Sequence, residues 1–243
     1  LASSVIHMYA KCGMLEKAHE THEELCARNI VSWNALISGY ARQGQGHGAL
    51  NYYQQMLNEG FSPDEVTFVS ILKACAITGD IGVSIHDEIS KRRLLHEDIV
   101  LATALVDMYA RCGALGKAQE VFDGIPERNV VTWNALIGGY AQHGWGNEAL
   151  KCFRQMQDEG ISPDSVTCLS ILKACGSVGA IDKGKEIHDK IVSKTWLRNN
   201  SVLEIALVDM YAKCGVLKKA QQLHDALHKQ SIMSWNALIS GYV

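Results

Sequence analysis

The sequence lacks a strong charge of either sign, a long hydrophobic run and any closely spaced pair of cysteines. Its 243 residues carry 23 Lys and Arg against 26 Asp and Glu, a formal net charge of −3. This balance argues against a general polyanion binder that neutralises phosphates, but it leaves open the recognition of bases by neutral side chains. Since no run approaches the length of a membrane span, we expect no membrane partner. The 47% of hydrophobic residues instead indicate a folded chain with a well-buried core.

What the sequence does contain is a long internal repeat. The pentapeptide Trp-Asn-Ala-Leu-Ile occurs at 33–37, 133–137 and 235–239, so its copies begin 100 and 102 residues apart. A second motif, Met-Tyr-Ala-Lys/Arg-Cys-Gly, keeps nearly the same spacing. A chain that repeats itself this closely is an array of similar units, and its function comes from what successive units present in a row.

The recurring cysteines follow the same repeat. Cys12, Cys112 and Cys214 occupy one position in it, and Cys75 and Cys175 occupy another. Because the chain has no CxxC pair, the spacing of a zinc site is absent. The phasing predicts small, reduced residues buried at helix contacts rather than metal ligands or disulfides.

Two pairs of histidines have a spacing that would place both rings on one helix face. They are His19 with His22 and His224 with His228. No third ligand accompanies either pair and neither is an HExxH motif, so we expect surface histidines and neither a metal nor another cofactor. No candidate nucleophile and base stand outside the repeat phasing, and we therefore expect no catalytic residues in this chain.

Apolar residues recur at helical spacing within each long repeat. Trp33, Leu36, Ile37 and Tyr40 fall at i, i+3, i+4 and i+7, which places them in one stripe on one helix. A second stripe follows after several glycines and ends before Pro63, which cannot continue a helix. No stretch shows a sustained two-residue alternation. The sequence thus predicts an all-α fold built from helix-turn-helix hairpins in an α-solenoid.

Matching landmarks divide the chain into six complete hairpins and two partial ones, within one solenoid over residues 1–243. The predicted units are 1–29 (partial), 30–64, 65–98, 99–129, 130–164, 165–200, 201–231 and 232–243 (partial). Because the sequence begins and ends within a hairpin, we expect apolar faces without a neighbour at both ends. Some end-to-end self-association would follow.

The landmarks closely resemble the pentatricopeptide repeat pattern. They are Val-Val-Thr-Trp-Asn-Ala-Leu-Ile-Gly-Gly-Tyr at 130–140, Glu-Ala-Leu at 148–150, Phe153, Met156, Gly160 and Pro-Asp at 163–164. The alternation of unit lengths resembles the P-L-S subclass of plant organellar RNA editing factors. In that scheme 30–64, 130–164 and 232–243 are P-type units, 65–98 and 165–200 are long, and 1–29, 99–129 and 201–231 are short.

The resemblance implies a right-handed superhelix that acts in a chloroplast or mitochondrion. A targeting peptide, if the natural protein has one, is expected outside this sequence.

One face of each P-type unit carries an amide beside a valine. Val31 and Asn34 are three residues apart, so they lie together on the first helix, off the stripe that contains Trp33. An asparagine side chain offers two donors and an acceptor, which is enough to bond the edge of a base. The pair returns as Val131 with Asn134, and this recurrence favours a functional role over an ordinary solvated residue.

The resemblance further implies a code in which each unit reads one base of single-stranded RNA. In the family the fifth and last residues of a unit read the base, and the second residue packs against it. The implied reading residues are Ser3, Asn29, Asn34, Asp64, Thr103, Asn129, Asn134, Asp164 and Asn236. The implied packing residues are Val31, Val66, Val100, Val131, Val166 and Val202, with Met233 at the same position of the last unit.

The base preferences that the family implies follow from the reading pairs. Ser or Thr with Asn favours adenine, and Asn with Asp favours uracil over cytosine. The implied register, 5′ to 3′ along the chain, is A, U, any, A, U, any, unclear, pyrimidine. The long units carry Val69 and Leu169 at the reading position, which have no polar group to offer a base. Unit 201–231 carries Ile205 there, which departs from the usual pair of a short unit. The last residue of unit 165–200 is either Asn199 or Asn200, because that unit has one extra residue.

Two functions of different classes remain open from the sequence. The first is the specificity array of an organellar RNA-processing factor for C-to-U editing, with small accessory editing proteins as possible partners on the long units. The second is a protein-binding α-solenoid scaffold, which the mildly acidic charge keeps open. Editing factors often end in a zinc deaminase domain with an HxE…CxxC signature, and no such segment occurs in this sequence.

Overall fold

The computed structural model describes residues 2–96, 98–196, 200–227 and 231–242. Over these residues the chain forms fifteen α-helices and one short 3-10 helix, with no β-strand. The predicted all-α class is therefore confirmed. The chain divides into two compact units, unit 1 (Leu1–Glu127) and unit 2 (Arg128–Val243).

Unit 1 contains four helical hairpins. Its helices are α1 (Ala2–Lys11) and α2 (Leu15–Glu23), α3 (Ile30–Arg42) and α4 (Gly46–Asn58), α5 (Glu65–Thr78) and α6 (Val83–Lys91), and α7 (Ile99–Arg111) and α8 (Leu115–Asp123). The 3-10 helix lies at Leu94–His96. The first helices pack in chain order, α1 on α3, α3 on α5 and α5 on α7.

Unit 2 repeats this arrangement. Its helices are α9 (Val130–Gln142) and α10 (Gly146–Asp158), α11 (Ser165–Val178) and α12 (Ile181–Ser193), α13 (Ser201–Lys213) and α14 (Leu217–Asp225), and α15 (Ile232–Ile239). Here α9 packs on α11, α11 on α13 and α13 on α15. In both units, then, first helices stand side by side and present one residue position repeatedly along a row.

The apolar stripe predicted on the first helices forms the core. Trp33, Leu36 and Ile37 of α3 are fully buried, and only 1% of Trp133 of α9 is exposed. Trp235 of α15, the third copy of the same residue, is 46% exposed. Removing such large apolar side chains from water is the main source of folding free energy in this kind of array.

Close helix packing and tight turns depend on two glycines in the second hairpin. Gly39 lies where α3 crosses α1, and a Cβ at this position would stand 2.4 Å from the Cβ of Ala10. Gly44 lies in the turn between α3 and α4 with a φ of +78°, a conformation that residues with a side chain adopt only with strain. Short turns of this kind keep the two helices of a hairpin antiparallel.

The prediction of surface histidines was wrong for His22 and His224. Both rings are fully buried. The ring centroids of His22 and Trp33 are 4.4 Å apart, and those of His224 and Trp235 are 4.3 Å apart, each in an edge-to-face arrangement. The equivalent position of α8 holds Phe122, which is also buried. This position therefore accepts a flat ring against the core, and the imidazole takes the place of an aromatic side chain.

The environment of His22 keeps its ring neutral. Burial, and then the nearby charge of Arg28, lower the pKa of His22 below the model-compound value of 6.5. His19, its partner in the predicted pair, is half-buried, and its Nδ1 lies 3.0 Å from the hydroxyl of Tyr52. His228 lies outside the described residues.

The cysteines are free thiols, and their burial follows the repeat only in part. Cys75 and Cys175 are buried as predicted, and burial raises the pKa of Cys75 to about 11. Cys112 and Cys214 are half-buried, with the Sγ of Cys112 3.7 Å from the carbonyl oxygen of Cys75. The prediction was wrong for Cys12, which is exposed just after the end of α1.

The described ranges contain neither a membrane-spanning helix nor a metal-binding cluster. No helix there combines the length and the apolar character that crossing a bilayer requires. Nor do three or more His, Cys, Asp or Glu side chains in that part of the chain come together in a group that could hold a metal ion.

Candidate nucleic-acid interface

The last residue of each predicted unit is the N-cap of the next first helix. A side-chain oxygen at this position accepts a hydrogen bond from a backbone N–H in the first turn, which satisfies a donor that the helix leaves unpaired. The N-caps are Asn29 of α3, Asp64 of α5, Asp98 of α7, Asn129 of α9, Asp164 of α11, Asn200 of α13 and Ser231 of α15. The side chain of Asn29, for example, lies 2.9 Å from the backbone nitrogen of Ser32.

This pattern resolves an ambiguity in the longest unit. Asn200 caps α13 by accepting from the backbone nitrogen of Leu203 at 3.2 Å, as its equivalents do elsewhere. Asn200 therefore occupies the last position of unit 165–200. Asn199, the alternative, lies outside the described residues.

Asn34 of α3 does not point freely into solvent. Its Nδ2 donates to both carboxylate oxygens of Asp64, at 2.9 and 3.0 Å, and its Oδ1 accepts from the hydroxyl of Thr67 at 2.6 Å. Only 8% of the residue is exposed. We call Asn34, Asp64 and Thr67 the first polar junction, because the group connects α3 to the start of α5.

The same arrangement recurs in unit 2. The Nδ2 of Asn134 donates to the oxygens of Asp164 at 3.1 and 3.2 Å, and its Oδ1 accepts from the hydroxyl of Thr167 at 2.6 Å. We call Asn134, Asp164 and Thr167 the second polar junction. Asn134 is half-buried, somewhat more open than Asn34. Because the two copies make the same contacts at nearly the same distances, the junction is a feature of the repeat.

The carboxylates of the two polar junctions are held in their charged form. Burial by itself would raise the pKa of Asp64, but the N–H donors of the Thr67 backbone and of the Asn34 amide bring it below the ordinary value of 3.8. Asp164 has a lowered pKa for the same reasons. Each carboxylate thus accepts hydrogen bonds only, and this fixes the nitrogen end of the neighbouring amide toward it.

The predicted packing residues are exposed on the surface of the first helices. A valine is normally found inside a protein, yet each of these is more than half exposed. They are Val31 (60%), Val66 (55%), Val100 (60%), Val131 (59%), Val166 (52%) and Val202 (57%), with Met233 at 64%. One exposed apolar side chain per hairpin, at a fixed position, is a row that folding alone does not explain.

Predicted reading residues and predicted packing residues line one cleft in unit 1. An open cleft of about 470 Å³ is lined by Ser3, Val31, Asn34, Asp64 and Val66, among others. Two exposed valines and a largely buried amide therefore line the same cleft. A flat apolar ring with polar atoms on its edge fits such a cleft by chemistry, since the valines offer apolar walls and the junction offers hydrogen bonds.

The remaining predicted readers occupy different environments. Ser3 is half-buried on α1 and Thr103 is half-buried on α7, whereas Asn236 is exposed on α15. Asn29 and Asn129 are exposed caps. At the long units the reading position holds Val69 and Leu169, both half-buried. The structure thus brings together the polar pairs Asn34 with Asp64 and Asn134 with Asp164.

The hydroxyls of Thr67 and Thr167 were missed by the sequence analysis. Both residues are fully buried, and each contacts the amide of the preceding hairpin. A usable signal was present in the sequence, because a hydroxyl three residues after an N-cap completes a capping box. What one helix does not reveal is that the same hydroxyl also reaches a neighbouring helix.

Two family models match the chain. The model described as a PPR repeat family matches residues 28–77 and 128–177. The model described as a PPR repeat matches residues 2–30 and 100–130.

Curated relatives come from plant organelles. A chloroplastic pentatricopeptide repeat-containing protein of Arabidopsis thaliana is 39% identical over 241 residues, covering 98% of this chain and 39% of that protein. A mitochondrial one from the same plant is 39% identical over 244 residues, covering 100% of this chain and 24% of that protein. The chloroplastic CRR2 of Arabidopsis thaliana is 38% identical, covering 100% and 38%. The chain spans less than half the length of these relatives.

Solved structures share the fold. The crystal structure of the pentatricopeptide repeat protein PPR10 in complex with an 18-nt psaJ RNA element has a TM-score of 0.79 at 21% identity, covering 99% of this chain and 37% of that chain. The structure of PPR10 from maize has a TM-score of 0.67 at 22% identity, covering 98% and 36%. Hairpins, landmarks and matches agree: the chain belongs to the pentatricopeptide repeat family and has the α-solenoid fold of that family.

Proposed function

We propose that this chain is a sequence-selective array for single-stranded RNA, part of an RNA-processing protein of a chloroplast or mitochondrion. The observation that carries the proposal is the row of exposed valines beside polar junctions, one residue position repeated from hairpin to hairpin. The organelle names of the curated relatives and the RNA named in the PPR10 complex support it.

The mechanism combines apolar packing with hydrogen bonding at the base edge. A base enters the cleft with its faces against Val31 and Val66, which gain from leaving water. Its edge then meets the amide of Asn34. Since valine side chains carry neither a charge nor a hydrogen-bonding group, they accept any base, and selectivity comes from the amide. In unit 2, Val131, Val166 and Asn134 take the same roles.

We extend the proposal to the finer assignment. The alternating unit lengths favour the P-L-S subclass and a role in selecting a cytidine for C-to-U editing. The chain then binds RNA and does no chemistry of its own. Small accessory editing proteins are candidate partners for the long units, and the partly exposed apolar face that includes Trp235 favours end-to-end self-association.

Removing both junction amides tests the proposal. The double variant Asn34→Ala with Asn134→Ala should bind an RNA carrying A-U-n-A-U at least about tenfold more weakly, because each lost hydrogen bond is worth on the order of 1 kcal/mol. Affinity is measured by fluorescence anisotropy with a labelled oligonucleotide, at one fixed salt concentration.

A matched control removes two amides elsewhere. Asn51 on α4 and Asn147 on α10 are exposed and lie on second helices, away from the row of valines. The double variant Asn51→Ala with Asn147→Ala should bind like the wild type. Equal affinities for the junction variant and the wild type would refute base reading by the asparagines.

A second candidate function rests on a different surface. A groove of about 410 Å³ in unit 1 has an apolar part and a polar part. Its lining includes Val83, Leu95, Val121 and Ile125 together with His86, Asp87, Lys117 and Glu120. Such a groove favours a scaffold that binds a peptide or a helix of another protein. The two functions separate in a melting experiment, since the matching RNA should raise the melting temperature more than a scrambled RNA only if the array reads bases.

A further inference from the structure

The third residue of each first helix has two different partners at the polar junctions. The hydroxyl of Thr67 accepts from the backbone nitrogen of its own N-cap, Asp64, at 3.2 Å. It also lies 2.6 Å from the Oδ1 of Asn34 on the preceding hairpin and 2.9 Å from the Oδ1 of Asp64. A hydroxyl has one proton to donate, and the shorter contact assigns that proton to Asn34. In unit 2, Thr167 makes the same two bonds to Asp164 and Asn134 at 3.2 and 2.6 Å. The side chain is thus a capping residue and, at the same time, a contact of the reading residue before it.

The residue type at this position follows the preceding reading residue. Where the reading residue is polar, the next unit has a hydroxyl at its third position, and where it is apolar the next unit mostly has leucine. The polar pairs are Ser3 with Ser32, Asn34 with Thr67, Thr103 with Thr132 and Asn134 with Thr167, and the apolar pairs are Val69 with Leu101 and Leu169 with Leu203. Ile205 with Ser234 is the exception. Capping alone requires no such match.

We propose that Thr67 and Thr167 are positioning residues that set base selectivity, by holding the amides of Asn34 and Asn134 in one orientation. The inference rests on the proposed function and concerns how the same cleft distinguishes uracil from cytosine. Neither threonine touches the base in this scheme. Each acts through the asparagine that it holds.

The physical argument begins with the freedom of the amide. The terminal torsion of an asparagine side chain is broad, so one attachment leaves the amide plane free to turn. Asp64 attaches the nitrogen end of Asn34 and the hydroxyl of Thr67 attaches the oxygen end. With both ends held, the plane is fixed. The orientation cannot reverse either, because the oxygen would then face the carboxylate of Asp64.

The fixed amide keeps one donor for a ligand. The two oxygens of the Asp64 carboxylate lie close together, whereas the two N–H bonds of a planar amide diverge widely, so one N–H of Asn34 serves both oxygens. The second N–H remains available. It suits an acceptor such as O4 of uracil, while the exocyclic amino group of cytosine would bring a donor against a donor. An amide that is free to turn could offer its oxygen to cytosine instead.

The test measures a ratio of affinities. Two RNAs are compared that differ only by U or C at the two positions facing the polar junctions. In the double variant Thr67→Val with Thr167→Val, which keeps the side-chain shape, the preference for U over C should fall about fivefold per position. The double variant Thr67→Ser with Thr167→Ser keeps both hydroxyls and should retain the wild-type ratio.

A matched control separates positioning from capping. Ser234 makes the same capping bonds in α15, with its hydroxyl 3.0 Å from the backbone nitrogen of Ser231, but the preceding reading residue is Ile205, which has no amide to hold. Ser234→Ala should therefore leave the ratio unchanged.

The outcomes are distinct. A Thr→Val double variant that binds both RNAs more weakly by one common factor shows a structural role only, and it overturns the inference. Wild-type protein that binds neither RNA overturns the proposed function instead. Wild-type protein that binds both RNAs equally shows that the asparagines do not read the base, and both proposals then fail.

Discussion

Two neighbouring junctions of unit 1 share an aspartate N-cap and differ in their other side chains. In the first polar junction the N-cap Asp64 also holds the amide of the preceding hairpin. Between α5 and α7 the equivalent positions are Val69, Asp98 and Leu101, which we call the aliphatic junction. Asp98 caps α7 through the backbone nitrogens of Val100 and Leu101, at 2.7 and 3.2 Å. The cap is common to both junctions, and only the polar one adds an oriented donor.

The difference separates what folds the array from what reads a ligand. Every hairpin needs its cap, since the first N–H groups of a helix have no partner within it. Under the proposed function, an oriented amide is needed only where a base is distinguished. A valine at the reading position removes that amide, and Leu101, at the third position of the next unit, is fully buried. The aliphatic junction would then be a spacer that continues the array without specifying a base.

The largest expected effect comes from placing the polar residue alone in the aliphatic junction. Leu101 is fully buried, so Leu101→Thr removes core methyl groups and introduces a hydroxyl whose proton has no amide acceptor, because the reading position holds Val69. The free energy of unfolding should fall by about 3 kcal/mol. Urea denaturation followed by circular dichroism measures it. Adding Val69→Asn should restore part of the loss, because the hydroxyl gains an amide. A double variant less stable than Leu101→Thr alone would show that the two junctions are not interchangeable.

The next effect is the reverse exchange at the first polar junction. Thr67→Val leaves the buried Oδ1 of Asn34 without its donor, which should cost about 1–3 kcal/mol. Adding Asn34→Val replaces both partners by apolar groups, and the pair should then cost less than the sum of the single variants. A double-mutant cycle by denaturation gives the coupling, expected near 1 kcal/mol. Additive costs would mean that the bond of 2.6 Å contributes nothing to stability.

Removing the N-cap should cost less free energy of unfolding in the aliphatic junction than in the polar one. Asp98→Ala removes a cap alone and should cost about 1 kcal/mol. Asp64→Ala removes a cap and the acceptor of the Asn34 amide, so its cost should exceed that of Asp98→Ala by about 1 kcal/mol. Thermal unfolding of both variants under identical conditions makes the comparison. Equal costs would show that the polar junction adds nothing beyond capping.

The sequence predicted the parts of this picture that one helix determines by itself. Helical spacing placed Trp33 in the core, and the three-residue step from Val31 to Asn34 placed both on another face, where Val31 is indeed exposed. The spacing did not reveal that Asn34 is buried, with only 8% of the residue exposed, or that its amide bonds to the next hairpin. That contact depends on how α3 and α5 sit side by side, which the periodicity of either helix leaves open.

The buried histidines show the same limit of prediction from a single helix. A polar residue type led to the expectation of a solvated His22, yet its ring is enclosed by the packing of α2 on α3. Only the equivalence with Phe122 in the sequence marked this position as a ring in the core. Residue type is a weaker guide than repeat position in an array, because the position fixes the environment and the type has only to fit it.

The smallest effect, a dependence on pH, distinguishes the polar junctions by their carboxylates. Hydrogen bonds outweigh burial and hold the pKa of Asp64 and Asp164 below the ordinary 3.8 in the folded chain. A group with a lowered pKa in the folded state stabilises it above the ordinary value, and this contribution is lost as the pH falls through the lowered value. The wild type should therefore lose stability as the pH falls below 3.8.

The double variant Asp64→Asn with Asp164→Asn is the control, because asparagine still caps a helix but does not titrate. Its melting temperature should lie below that of the wild type at neutral pH, and the gap should narrow as acid protonates the two carboxylates. Melting curves in buffers on both sides of pH 3.8 measure the gap. A gap that stays constant through this range would mean that the carboxylates gain nothing from the amides they hold. The polar and aliphatic junctions would then differ in shape alone, and orientation of the amide by charge would have to be abandoned.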